Sequence, residues 1–365
     1  MKTIFIAGAC FTAFSGSAFA QSSVTLYGLV DTDFRYVTNV DRQGDSSIGM
    51  GTGGLSQSRL GIKGVEDLGQ GYSAVFRIEN RFLANSGQPD TADPFWDTAF
   101  VGVHSARSGE LTLGRQTNTL TDVVTRAYAS SPWAPGSNVF APELIMTGGD
   151  RTSNLVKYTV DISDFFGEAS YAFGGVAGHA SYGSQTAAGM GWFPGAVRAA
   201  AGYGVSRDST NGATAQAWTA GGSYTWNATQ IHIGYFQDRL APGFQSFMNG
   251  PFTEQELAAL KFLDFSSRRM MSAGITQSIG SAWHLALNYW RTWQTGKTET
   301  KDGTASQFQL VADYNLSKRT DVYLEGDYGL YRQDLIGATL AGLNSGAPPA
   351  RSTQLGLTAG IRHQF

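Results

Sequence analysis

From Val24 onward apolar and polar positions alternate. Val24, Leu26, Val30, Phe34 and Tyr36 fall on one parity, and Thr25, Tyr27, Asp31, Asp33 and Arg35 on the other. Successive side chains of a strand point to opposite faces, so this stretch predicts a strand with one apolar and one charged face. The same period recurs at about 55–66, where Leu60 and Ile62 oppose Arg59 and Lys63, and at 72–82, where Phe76, Ile78 and Phe82 oppose Arg77, Glu79 and Arg81. Further strands are predicted at 95–105 and 110–115. After a long break they resume at 154–160, 168–174, 184–193, 196–206, 217–226, 229–239, 269–279, 282–293, 307–316, 321–332 and 353–365. The count is sixteen, five before the break and eleven after it.

The connections alternate in length. Residues 67–71, 106–109, 194–195, 227–228 and 317–320 are short; 39–54, 116–150, 240–268, 294–306 and 333–352 are long. Short turns at one end and long loops at the other mark an antiparallel transmembrane β-barrel. Strands of about 9–11 residues also suit a tilted membrane crossing. Lipid offers the backbone no hydrogen-bond partner, so such a sheet must close. An even count lets 24–36 pair antiparallel with 353–365. In the last strand Leu355, Leu357, Ala359, Ile361 and Phe365 are expected outward, and Gln354, Thr358, Arg362 and Gln364 inward.

The break at 116–150 does not alternate. It holds three prolines, a helix-like 121–128, Pro142-Glu143 and a closing Gly148-Gly149-Asp150. A loop this long inside a compact domain is expected to be functional. It is read as folded into the lumen, where it narrows a pore. Another helix, opened by a capping box at Thr253 and running through Leu257, Leu260, Phe262 and Leu263, is expected in 240–268. It is either a cap over the mouth or an ordinary loop helix.

Residues 1–20 read as a cleaved secretory signal, with Lys2, a short apolar run and Ala18-Phe19-Ala20. Cys10 lies within it, so residues 21–365 carry no thiol chemistry and form one domain. Their charge is −4, from 25 basic and 29 acidic side chains, which argues against a nucleic-acid partner. Tyr36, Tyr72, Tyr224, Trp226, Trp283, Trp290, Trp293 and Tyr331 gather towards strand ends. They fit interfacial girdles, or simply β-propensity.

Catalytic motifs are absent. Gly49–Gly54 matches G-x-G-x-x-G but no helix follows, so it reads as a flexible external loop. His104, His179, His232, His284 and His363 have no metal-ligand spacing. No cofactor, metal or enzyme activity is expected. The charges are more telling. Arg59, Lys63, Arg77 and Arg81 share the inward parity of neighbouring strands, Arg115 and Arg151 flank the long loop, and the loop carries Glu143 and Asp150, with Asp122 also near. Cations on a wall facing acids on an infolded loop would make a transverse field across a pore. The same charges could instead only stiffen the wall.

At these residues the chain resembles the general porins of Gram-negative bacteria, most closely the neisserial and related proteobacterial branch. The resemblance spans residues 21–365 and is carried by Ser23–Gly28, Ser58–Gly69, Ala99–Gly102, Leu113–Gln116 and Gly360–Phe365. It implies a homotrimer of sixteen-stranded barrels in the outer-membrane lipid, the third external loop forming an eyelet, and passive diffusion of small hydrophilic solutes and ions. It places Arg59, Arg151 and Pro142-Glu143 at the constriction and makes Phe365 the residue read by the barrel-assembly machinery. One departure is Asp97, where such porins often carry arginine; Arg77 and Arg81 stand near enough to compensate. A substrate-specific porin binding small anions at Arg59, Arg77 and Arg81 is the alternative.

Overall fold

A computed structural model describes residues 22–90, 94–129, 150–249, 261–338 and 351–365. The signal segment 1–20 and the capping box at Thr253 lie outside these residues. The strands are β1 (Ser23–Val37), β2 (Ser47–Thr52), β3 (Arg59–Gly69), β4 (Tyr72–Leu83), β5 (Gln88–Pro89), β6 (Thr98–Ser105), β7 (Gly109–Thr117), β8 (Arg151–Ile162) and β9 (Phe165–Ala172). They continue as β10 (Gln185–Trp192), β11 (Val197–Arg207), β12 (Thr214–Trp226), β13 (Thr229–Leu240), β14 (Phe265–Ile279), β15 (Trp283–Gly296), β16 (Gly303–Asn315), β17 (Thr320–Gln333) and β18 (Thr353–Gln364). One helix, α1 (Thr119–Ala127), follows β7.

Each wall strand pairs antiparallel with the next, and β1 pairs with β18 from Leu29↔Gln364 to Val37↔Gly356. The sheet therefore has no edge, as a backbone in hydrocarbon requires. Strands β2 and β3 share one place in the wall: β3 pairs with the first half of β1 and β2 with the second. The two-residue β5 only extends a hairpin on β4. Counted this way, the barrel has sixteen strands.

Parity sorts the two faces. Val24, Leu26, Phe34, Leu60, Met190, Ile231, Ile233, Leu310, Leu324 and Leu357 are exposed on the outside, while Asp31, Asp33, Arg35, Glu79, Gln309 and Arg362 are buried on the inside. An apolar outer band with a polar interior suits a cylinder wetted by lipid outside and water inside. Inner charges pair at and beside the closing seam: Arg35 Nη2 of β1 reaches across β18 to lie 2.8 Å from Asp327 Oδ2 of β17, and Arg362 Nε of β18 lies 3.2 Å from Asp321 Oδ2 of β17.

Four expectations change. The connection at 39–54 contains a strand, β2, so Gly49–Gly54 is no flexible loop. The connection expected at 294–306 shrinks, because β15 runs to Gly296 and β16 starts at Gly303. In 240–268, the described part of the expected helix is a single 3-10 turn, Phe262–Asp264, with Phe262 buried against Phe244, Phe265, Leu240 and Ala215. Trp290 and Tyr331 are not girdle residues. They share the inward parity of Asn288 and Thr292, and of Tyr323 and Asp327, and lie buried in the lumen beside Met270, Phe236 and Leu335.

The helix α1 stands inside the cylinder. Its Leu120, Val123, Val124 and Ala127 are buried, and a Cβ on Gly189 or Gly202, which have the inward parity of β10 and β11, would run into Val123 or Leu120. Tyr128 follows, packed over Gly221 and Gly234, with its hydroxyl bonded to Thr219. These glycines clear the room that a helix needs against the inner wall. Asn118 caps the helix, its Oδ1 accepting from Thr121 N at 2.9 Å. Lys157 holds the first turn by pairing with Asp122 and donating to the Thr117 carbonyl at 3.0 Å.

Candidate pore constriction

Across the lumen from α1, β3 and β4 run side by side with Arg59 opposite Arg81 and Lys63 opposite Arg77. Like charges set directly opposite repel, so carboxylates between them are required. Glu79 supplies one. Its Oε2 is 2.6 Å from Arg77 Nη2, and its Oε1 is 3.7 Å from both Arg59 Nη1 and Arg151 Nη2. Tyr27 of β1 steadies this corner: its hydroxyl donates to Glu79 Oε2 at 2.9 Å and accepts from Arg77 Nε at 2.6 Å. Arg77 and Lys63 also sit over the Tyr27 ring, each 5.3 Å from its centroid.

Asp97 is the second carboxylate. It precedes β6 and is fully buried, with Oδ2 3.0 Å from Arg81 Nε and 2.9 Å from Arg151 Nε. Asp150 is the third. Its Oδ2 accepts from Arg81 Nη2 at 3.0 Å and pairs with Arg151 Nη1. The result is a two-tier cluster. Arg81 and Arg151 are locked between Asp97 and Asp150 with 9% and 7% of their side chains exposed, whereas Arg59 and Arg77 keep 24% and 38%. Charge that an ion can meet therefore comes mainly from Arg59 and Arg77.

The structure thus brings Arg59, Arg77, Arg81, Asp150 and Arg151 together. Arg115 lies at a register shift between Gly114 and Gln116, buried, with Nη1 donating to Ser153 Oγ at 3.1 Å. Glu143 lies outside the described residues. Asp97, seen in sequence only as a departure from a pattern, is a full member of the cluster. The strand expected at 95–105 sets Asp97 on the outward parity of Val101 and Val103, whereas β6 starts only at Thr98 and lets Asp97 turn inward. Beside the cluster a cavity of about 370 Å³ is lined by Arg77, Gln116, Asp122, Arg126, Lys157 and Glu168, among others, which leaves open, polar-lined space next to α1. Among the described residues no group of His, Cys, Asp and Glu could hold a metal ion.

The profile of a Gram-negative porin family matches residues 7–334. Outer membrane porin protein 32 of Delftia acidovorans is 30% identical over the full length of both chains. Among solved structures, the anion-selective porin from Comamonas acidovorans is 25% identical, with a TM-score of 0.73 over 94% of this chain and all of the other. OmpT of Vibrio cholerae in its trimer form, 17% identical, has the same fold, with a TM-score of 0.66 over 94% of this chain and 99% of the other. A closed sixteen-stranded wall, a charged gap inside it and these matches converge on one conclusion: the chain belongs to the Gram-negative porins, channels rather than enzymes, and is a diffusion channel of the outer membrane.

Proposed function

We propose that Arg59, Arg77, Arg81 and Arg151, with Glu79, Asp97 and Asp150, line the narrowest part of the pore. The rest of 116–150, Glu143 included, completes it as an eyelet, with Arg115 at its base. The observation that carries this reading is the position of α1. The segment enters the lumen on leaving β7, and its apolar face is buried against the inner wall of β10–β12. A segment anchored there narrows the lumen from the β10–β12 side and sets the arc bearing the arginines opposite it.

The named cluster has four cations and three carboxylates, so small hydrophilic solutes pass with a mild preference for anions. One uncompensated charge about 5 Å from an ion contributes roughly 1–3 kcal/mol between aqueous and protein-like screening. Salt reduces this further. Planar-bilayer recording in a salt gradient tests the reading. Arg59→Ala together with Arg77→Ala should move the reversal potential towards cations, and an unchanged potential would refute the site. The second reading, a binding site for small anions, draws on the exposure of Arg59 and Arg77 and on the anion selectivity in the name of the Comamonas relative. Saturable block by a single anion would favour it over a linear, weakly selective current.

The working unit is proposed to be a homotrimer in outer-membrane lipid, which the trimer form of the OmpT fold supports. Phe365, a residue 44% exposed with its ring over Gly28, is proposed as the residue that the barrel-assembly machinery reads.

A further inference from the structure

The second wall strand is broken, and the break points inward. β3 pairs with β1 as far as Arg59↔Leu29, and β2 resumes at Thr52↔Thr32. Only Val30 and Asp31 of β1 lie between, yet the other side has six residues, Gly53-Gly54-Leu55-Ser56-Gln57-Ser58. The surplus is folded into the lumen. Leu55 is buried in a cluster with Ala286 of β15, Val311 of β16 and Tyr323 of β17, all on the inward parity of their strands. The hexapeptide therefore covers a part of the inner wall that α1 does not touch.

Asp31 holds it at most points. Asp31 Oδ2 accepts from Leu55 N at 2.9 Å and Ser56 N at 2.7 Å, while Asp31 Oδ1 accepts from the Tyr323 hydroxyl at 2.6 Å. Ser58 Oγ donates to the Asp31 carbonyl at 3.0 Å, and Arg362 Nη1 donates to Ser56 Oγ at 2.8 Å. Accepting several donors at once lets a buried carboxylate remain in place. The glycines of Gly49–Gly54 find their reason in this fold. A Cβ at Gly51 would press on Asp33, Gly53 has φ +77°, and a Cβ at Gly54 would run into the Tyr323 hydroxyl. They let the strand turn inward, and no phosphate need be invoked. The segment ends on the constriction itself: the Gln57 carbonyl accepts from Arg59 Nε at 3.0 Å.

We propose that Gly53–Ser58 is a second infolded element of the pore, which narrows the lumen from the β15–β17 side and sets the direction of the Arg59 guanidinium, with Asp31 as its positioning residue. This rests on the reading of Arg59 as a pore-lining charge. The two can fail separately.

The decisive variant replaces Gly53–Ser58 with Thr-Val, two residues opposite two, which restores an unbroken strand. In bilayers its single-channel conductance should rise by about half or more, because pore cross-section limits the current. Its reversal potential should move part of the way towards that of Arg59→Ala. Unchanged conductance and potential, in a variant that inserts as well as the parent, would overturn the proposal. If Arg59→Ala leaves the potential unmoved while the replacement raises conductance, the charge assignment falls and the second element stands. Should the replacement insert poorly, Leu55→Ala with Tyr323→Phe decides. Conductance steps that fluctuate between two levels would support a loosened segment, and steps identical to the parent's would refute it. Asp31→Glu, which keeps the charge but lengthens the arm, should shift the reversal potential more than it alters thermal stability. A merely structural role would produce the opposite order.

Discussion

Arg151 Nε and Asp97 Oδ2 lie 2.9 Å apart, with both side chains buried. The same carboxylate lies 3.0 Å from Arg81 Nε, so one acid withdraws two arginines from the field that an ion meets. Replacing Asp97 with Asn should release that charge. The reversal potential is expected to move towards anions, in the direction opposite to Arg59→Ala. A buried ion pair broken on one side also costs about 3–5 kcal/mol, so the heat-induced unfolding of the barrel should begin earlier. A potential unmoved by Asp97→Asn would mean that Arg81 and Arg151 are structural only.

Two of the attachments that hold α1 sit at its two ends. Tyr128 packs against Gly221 and Gly234 and bonds Thr219, and Asn118 caps the first turn. Removing a buried aromatic ring costs about 3–5 kcal/mol, against about 1 kcal/mol for a lost N-cap. Tyr128→Ala is therefore expected to loosen α1 much more than Asn118→Ala. Current noise at fixed voltage should follow that order while membrane yield stays constant. Equal noise in the two variants would place the anchor elsewhere.

How much of this was legible in the sequence depends on where parity holds. The face of β18 could be read because nothing interrupts its period: Gln354, Thr358 and Arg362 are buried, and Leu355, Leu357 and Ile361 are exposed. Arg59, Arg77 and Arg81 were legible for the same reason. Trp290 lies in the lumen and not in a girdle because its parity with Asn288, not its ring chemistry, sets the face it occupies. The inward turn at 53–58 was hidden because Leu55 resembles any apolar strand residue; only the register of β1 against two partners exposes it. Arg115 shows the same limit, since the shift beside Gly114 breaks the period that would have oriented it.

On the external side, Asp208 ties two loops together. Its Oδ1 accepts from Thr210 N at 2.8 Å, and its Oδ2 accepts from Gln245 N at 2.9 Å and Ser246 N at 3.2 Å. Burial pushes its carboxyl up, but the hydrogen bonds from Thr210, Gln245 and Ser246 outweigh this and hold it down at about 2. A depressed carboxylate stabilises the fold above its ordinary value, and that contribution is lost as pH falls through the folded value. Loop closure should thus be intact at pH 4 and weaken towards about pH 2. Pepsin nicking of the loops 208–213 and 241–249 should accelerate across that interval in the parent chain. Asp208→Ala should be nicked readily at both pH values. A parent chain cut equally at both would show that the tie carries no stability.

Phe365 closes the barrel with little chemistry of its own. Its N–H donates to the Gly28 carbonyl at 3.0 Å, and its carbonyl accepts from Gly28 N at 3.2 Å, beyond the last paired residues Gln364 and Leu29. Two hydrogen bonds at the end of a ladder contribute about 1 kcal/mol each, which is small against a wall of sixteen paired strands. Deleting Phe365 should therefore lower the unfolding temperature only slightly. If its exposed side chain is what the assembly machinery reads, the same deletion should cut the amount of inserted protein severalfold while the conductance of the inserted molecules stays unchanged. Phe365→Tyr, which keeps the ring, should restore most of the yield. Equal yield from the truncated and full chains would refute the assignment, and a fall in yield matched by an equal fall in stability would reduce it to a closing contact.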